Sequence, residues 1–156
     1  MKKWNFLLII LSLGLLQVTI LDYLRFFYAR PDLLLISVAV AALVFDLRSS
    51  LIFGLFAGLL KDVFSPGVFG LNTVLFPLWS YLVFRLSRLI PIEEDILRMG
   101  LVFILTVLHN AVMGVLLISQ GEMISFGIFL RIVVVQAILT ALVSPLVFKL
   151  SKPAYS

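Results

Sequence analysis

The hydrophobic positions of this chain come in six blocks separated by short polar or charged intervals. A helix needs ~20 residues to cross ~30 Å of hydrocarbon, and helices are the default there because every backbone amide in lipid needs a partner. On that rule the blocks predict six spanning helices, over residues 4–22, 31–45, 49–61, 71–87, 96–118 and 126–150. The second and third are short, with only Asp46, Leu47 and Arg48 between them. Residues 33–60 could instead form one tilted helix, giving five spans, but a cost of ~2.5 to 3.5 kcal/mol for Asp or Arg at a helix centre argues against burying both. A tight helical hairpin is the better reading, within one multi-pass domain over residues 1–156.

Composition turns this pattern into a class. The residues are 63% hydrophobic and 13% charged, with mean hydropathy +1.22, more apolar surface than a soluble domain of this length can hide. The expected fold is therefore an all-α integral membrane bundle. The sequence has no cysteine, which removes disulfides and thiolate metal sites. A net charge of +4 does not indicate nucleic acid, because the basic residues are scattered at the ends of apolar runs, where snorkelling at a membrane surface explains them. Lys2 and Lys3 before an apolar run resemble a signal peptide, but the run is long and only Asp22, Tyr23, Leu24 and Arg25 follow, so an uncleaved first span is expected.

The lysines and arginines also orient the chain. With six spans and the N-terminus inside, Lys2, Lys3, Arg48, Arg85, Arg88, Arg98, Lys149 and Lys152 fall on the cytoplasmic side, and Arg25 and Arg30 outside. Lys61 and Arg131 sit near the outer boundary. Both termini are thus expected in the cytoplasm, in a cytoplasmic (inner) membrane. Trp4, Tyr23, Tyr28, Trp79 and Tyr81 lie near span ends or in the first outer loop, as headgroup-level aromatics do, although Trp79 and Tyr81 are deep enough to pack between helices. Pro91 followed by Glu93, Glu94 and Asp95 reads as the acidic N-terminus of the fifth helix.

Candidate chemistry is sparse. Thr106, His109, Asn110, Met113 and Gly114 share one face of the fifth span. That face is either a packing cluster or a pocket, and the single histidine has no second His, Cys or paired carboxylate at metal spacing. Gln17, Thr19, Gln136 and Thr140 are expected to hydrogen-bond between helices. No Ser-His-acid set, phosphate loop or metal cluster is present, so neither catalysis nor a cofactor is expected.

The densest mixture of glycine, charge and turn chemistry runs from Gly54 to Asn72. Gly54 and Gly58 form the small-xxx-small pattern that lets helix backbones approach, either within the chain or against a partner's helix. Lys61 and Asp62 are adjacent and cannot face each other on a helix. Asp62 can hold the following turn, punctuated by Ser65, Pro66, Gly67 and Gly70, and the Asn72 side chain can cap the fourth helix or make a turn contact. This loop is either a structural turn or one shaped to bind something.

These residues carry a resemblance. Pro31-Asp32-Leu-Leu-Leu opening the second span, a short charged turn, then Gly54-x-x-x-Gly58-Leu-Leu-Lys61-Asp62 leading through Ser65-Pro66 and Gly67 to Gly70-Leu71-Asn72, is similar to the bacterial rod-shape-determining MreD family. The likeness covers the whole chain in length and layout, with His109 a weaker point. It implies a non-enzymatic subunit of the machinery that builds lateral peptidoglycan, binding the single-span protein MreC and connected through it to MreB, RodA and a class B penicillin-binding protein. It also implies a fold similar to the six-helix substrate-binding subunits of energy-coupling-factor transporters, which leaves room for a lipid or small-molecule ligand.

Two expectations follow. In the first, the second and third spans and the outer turn form the MreC-docking surface, with Gly54, Gly58, Asp62, Pro66, Gly70 and Asn72 as partner-binding residues. In the second, the chain is a ligand-binding subunit of a transporter, its pocket lined by Asp62, Asn72, His109 and Asn110, with Thr106 alongside.

Overall fold

A computed structural model describes residues 2–19, 32–64, 70–92, 94–119, 121, 123 and 125–155. Among them the ordered elements are six helices: α1 (Lys2–Thr19), α2 (Leu33–Val44), α3 (Leu47–Phe64), α4 (Leu71–Leu89), α5 (Asp95–Ser119) and α6 (Phe126–Tyr155). The six blocks of the sequence each become one helix. Of these, Asp95–Ser119 and Phe126–Lys149 are long and apolar enough to cross a membrane. Tyr23, Arg25, Tyr28, Arg30, Ser65, Pro66, Gly67 and Glu93 lie outside the described residues, as do the side chains of Lys2, Lys3, Gln17, Thr19 and Lys152.

The organising element is α2. It is apolar apart from Ser37, whose hydroxyl donates back to the Leu34 carbonyl, and residues Leu33 to Ala42 are all buried, as expected of a helix with no polar face to offer water. At 12 residues it is ~18 Å long, well short of the ~30 Å of a hydrocarbon core. The surface that the sequence assigned to the second and third spans together is therefore not available as such, since α2 is interior. The other helices ring it in the order α1, α3, α4, α5, α6, and α6 closes back on α1. α3 against α4 and α5 against α6 are the most intimate pairs, and the α4–α5 seam is the loosest, holding an apolar cleft of about 90 Å³.

Local chemistry explains the joints. Asp32 caps α2, its carboxylate accepting from the Leu35 N–H at 3.2 Å, which satisfies one orphan donor of the first turn. The α2–α3 hairpin is tighter than expected: only Phe45 and Asp46 stand outside helix, while Leu47 and Arg48 enter the first turn of α3. The turn is locked by the rings of Phe6, Phe45 and Phe53, with centroids 4.9 to 5.2 Å apart in edge and tilted contacts. This ties the start of α1 to the hairpin. α5 opens at Asp95 with its acid in the first turn, as Pro91 and the acidic run suggested. Trp79 is buried rather than at headgroup level, whereas Trp4 and Tyr81 are exposed.

Candidate functional site

The two buried carboxylates, Asp32 and Asp62, lie at the start of α2 and at the α3–α4 joint, and other buried polar side chains gather around them. α3 meets α4 along its glycine face. A Cβ on Gly58 would come within 2.3 Å of the Asn72 carbonyl oxygen, and one on Gly54 within 2.5 Å of the Ser80 hydroxyl and 3.1 Å of the Phe76 carbonyl oxygen. Backbone thus touches backbone where α3 crosses α4, and the small-xxx-small face is occupied by the chain's own helix.

That contact brings Asp62, at the end of α3, over the start of α4. Its Oδ2 accepts from the Gly70 N–H (3.0 Å), the Thr73 N–H (2.9 Å) and the Thr73 hydroxyl (2.6 Å). Its Oδ1 accepts from the Asn72 N–H (3.2 Å) and the Asn72 side-chain amide (3.0 Å). The N-cap residue of α4 is Gly70, held at φ 102° in the left-handed region and with no side chain to give. Glycine suits that backbone, and the missing cap is supplied by Asp62 from another helix. The carboxylate also sits at the positive end of the α4 dipole. The Asn72 side chain, expected to cap or to make a turn contact, makes the turn contact by donating to Asp62, and its Oδ1 has no protein partner.

Beside it, Lys61, the residue before Asp62, pairs with Asp32 across the α2–α3 hairpin. Both are buried or nearly so, with side-chain exposures of 14% and 1%. The Lys61 ammonium also lies 5.4 Å from the centroid of the Phe76 ring, a favourable face for a cation. The Asp32 N–H donates to the Thr140 hydroxyl at 3.2 Å, and that hydroxyl donates to the Gln136 carbonyl at 2.6 Å. A single acid therefore joins α2, α3 and α6. Thr140 bridges helices as expected of an intramembrane threonine.

The polar face of α5 completes the cluster. His109 is buried, and its Nδ1 accepts from the Trp79 indole N–H at 3.0 Å. An indole nitrogen can only donate, so this contact fixes Nδ1 as the acceptor of a neutral imidazole. The Phe76 ring lies 5.4 Å from the His109 ring, between the ion pair and the imidazole. Thr106 and Asn110 turn back on their own helix, Thr106 Oγ1 donating to the Val102 carbonyl at 2.8 Å and Asn110 Nδ2 to the Thr106 carbonyl at 3.0 Å. Gly114 admits the Phe129 ring of α6, which a Cβ would meet at 2.3 Å.

The structure thus brings Asp62, Gly70 and Asn72 together at one joint, with Gly58 against the Asn72 backbone, while His109 bonds to Trp79 and not to them. Pro66 is outside the described residues. No group of His, Cys, Asp or Glu suited to a metal occurs among the described residues. Sequence reasoning missed the roles of Asp32 and Thr73, whereas the burial of Trp79 matches the expectation that it is deep enough to pack between helices. Only Asp32 left a signal, an acid immediately before an apolar helical run, which is the mark of an N-cap.

A family model described as rod shape-determining protein MreD matches residues 1–153. No curated protein and no solved structure matches the chain.

Proposed function

The chain belongs to the MreD family, whose members take part in determining rod shape, and from that premise we propose that it is a non-enzymatic membrane scaffold that docks MreC and so supports lateral peptidoglycan synthesis. The observation that carries this reading is how the buried polar groups are used. Asp32, Lys61, Asp62, Asn72, His109 and Thr140 are engaged in bonds between helices. Groups committed to holding helices together build a rigid surface; they are not poised for chemistry. The same commitment weighs against a transport subunit with a pocket of Asp62, Asn72, His109 and Asn110, because Asp62, Asn72 and His109 already hold partners within the bundle and Asn110 bonds back to its own helix.

The docking surface is the back of α3. Opposite the glycines, Ile52, Leu55, Leu59 and Val63 are exposed, at 55%, 44%, 38% and 63%, and their spacing makes one helical stripe of the kind a second helix packs against. In this reading Gly54, Gly58, Asp62, Gly70 and Asn72 act on MreC indirectly, by fixing α3 against α4 and so setting the tilt of that stripe. RodA, the class B penicillin-binding protein and MreB are reached through the complex, with both termini in the cytoplasm and six passes through the inner membrane.

Because the chain has no cysteine, single-cysteine crosslinking is clean. Leu55→Cys and Leu59→Cys should each crosslink to a cysteine scanned through the MreC span, while Val134→Cys and Leu142→Cys on α6 should not. Crosslinks confined to α6 would overturn the assignment of the surface.

A further inference from the structure

At the end of the bundle where α2 stops, far from the Asp62 joint, a recess of about 540 Å³ opens beside the α2–α3 turn. It is lined by the last turn of α2, by Asp46, and by Ser87 and Arg88 near the end of α4, with Phe84 and Ile92 as apolar walls. Beyond the Ala41 carbonyl, which accepts from the Phe45 N–H at 2.9 Å, the final carbonyls of α2 have no donor further along the helix, and they carry the negative end of its dipole. Ser87 commits its hydroxyl proton to the Phe84 carbonyl at 2.7 Å, so it can offer a ligand only lone pairs. Asp46 adds a carboxylate. Against these acceptors stands one cationic lining residue, Arg88, whose guanidinium lies 4.9 Å from the centroid of the Phe84 ring. No carboxylate of the described residues pairs with it.

We propose that this recess seats a phosphoethanolamine headgroup, the zwitterionic head of a phospholipid with a primary ammonium beside its phosphodiester. The ammonium N–H groups donate to the α2 carbonyls, Ser87 Oγ and the Asp46 side, while the phosphodiester meets Arg88 in a charge-assisted contact. A quaternary ammonium has no N–H to give these acceptors, and a phosphoglycerol head brings no positive charge to them. A lysine from a protein partner would satisfy the acceptors but leave Arg88 facing a like charge. The place favours a membrane source: Arg48, Arg85, Arg88 and Arg98 sit at this end of the bundle, the pattern of residues at headgroup depth. The proposal is independent of MreC docking, and its test does not involve that protein.

The test is native mass spectrometry of the full chain after incubation with vesicles of phosphatidylethanolamine, phosphatidylcholine or phosphatidylglycerol with matched acyl chains. Phosphatidylethanolamine should be retained at least about fivefold over the other two, and Arg88→Ala should lower its retention by about the same factor, as loss of one charge-assisted contact implies. Arg88→Lys, which keeps the charge, should preserve most of it. Arg85→Ala is the control, since Arg85 stacks on Tyr81 at 5.4 Å and does not line the recess. Equal retention of phosphatidylcholine would overturn the proposal, and so would an Arg85→Ala loss as large as that of Arg88→Ala. Binding of soluble glycerophosphoethanolamine without retention of the lipid would overturn the membrane source. The selectivity of the unmodified chain stands as a test even where a variant fails to fold.

Discussion

Replacing Asp62 tests the central claim that one carboxylate caps a helix to which it does not belong. Asp62→Ala removes five hydrogen bonds and strips the acceptor from three backbone N–H groups at the start of α4. An unsatisfied buried donor costs about 1 to 3 kcal/mol, and loss of a charge at a helix N-terminus adds about 0.3 to 1. Gly70 and Thr73 are only half-buried, so water recovers part of the loss, and the net destabilisation expected is about 3 to 5 kcal/mol, a large share of a typical ~5 to 15. Asp62→Asn should cost less, about 1 to 2 kcal/mol. Its carbonyl can take the Gly70 and Thr73 donors, and Asn72, whose Oδ1 is unpartnered, can turn its amide to accept from the new NH₂ group. The assay is reversible unfolding in mixed micelles on titration with denaturing detergent, followed by far-ultraviolet circular dichroism. Stability of Asp62→Ala within about 0.5 kcal/mol of the parent, the range of an inconsequential surface change, would refute the capping argument. Full stability with loss of MreC co-purification in Asp62→Asn would instead assign the carboxylate to the partner.

Three further outcomes follow from the same packing, each read by the same unfolding assay. Lys61→Met leaves Asp32 buried without its cation and should cost about 3 to 5 kcal/mol, whereas pairing it with Asp32→Asn should recover much of the loss; equal stability of the single and double variants would show that the pair is not coupled. Gly58→Ala should destabilise more than Gly54→Ala, because the first meets α4 backbone and the second chiefly the Ser80 hydroxyl; Ser80→Ala should rescue Gly54→Ala and not Gly58→Ala. Trp79→Phe removes the donor to His109 and should cost about 1 to 3 kcal/mol, an effect that should vanish in a His109→Leu background if the two residues act only through each other.

The number and order of the helices were legible because long apolar blocks closed by charge have few alternatives. α5 and α6 show this most clearly. α2 was legible as a helix and not as a core. An all-apolar run is compatible with lipid on every side and with protein on every side, and only the five surrounding helices decide between them. The hairpin was visible from Asp46 and Arg48, but Leu47 and Arg48 joined α3 because a helix's first turn tolerates side chains that reach solvent. Gly54 and Gly58 announced a close helix approach without saying whose helix it was. Asp62 was recognised as a turn-holder from its neighbours, all within eleven positions. The Asp32–Lys61 pair was not, because it joins residues 29 positions apart, and no local pattern encodes a contact that tertiary packing creates. Trp79 illustrates the same gap: an amphipathic ring near a span end suits a headgroup equally well, until a histidine on another helix is in reach.

The shortness of α2 has a consequence for how the chain enters a membrane. In the six-pass reading proposed above, a segment of 12 residues is too brief to be held across the bilayer by itself, and α2 would enter together with α3 as a hairpin. The two charges at the open ends of that hairpin, Asp32 and Lys61, are each other's partners. The hairpin would therefore carry its own neutralising pair into the membrane. In that reading a fault in this one ion pair would be felt at insertion, earlier than any effect on the finished surface.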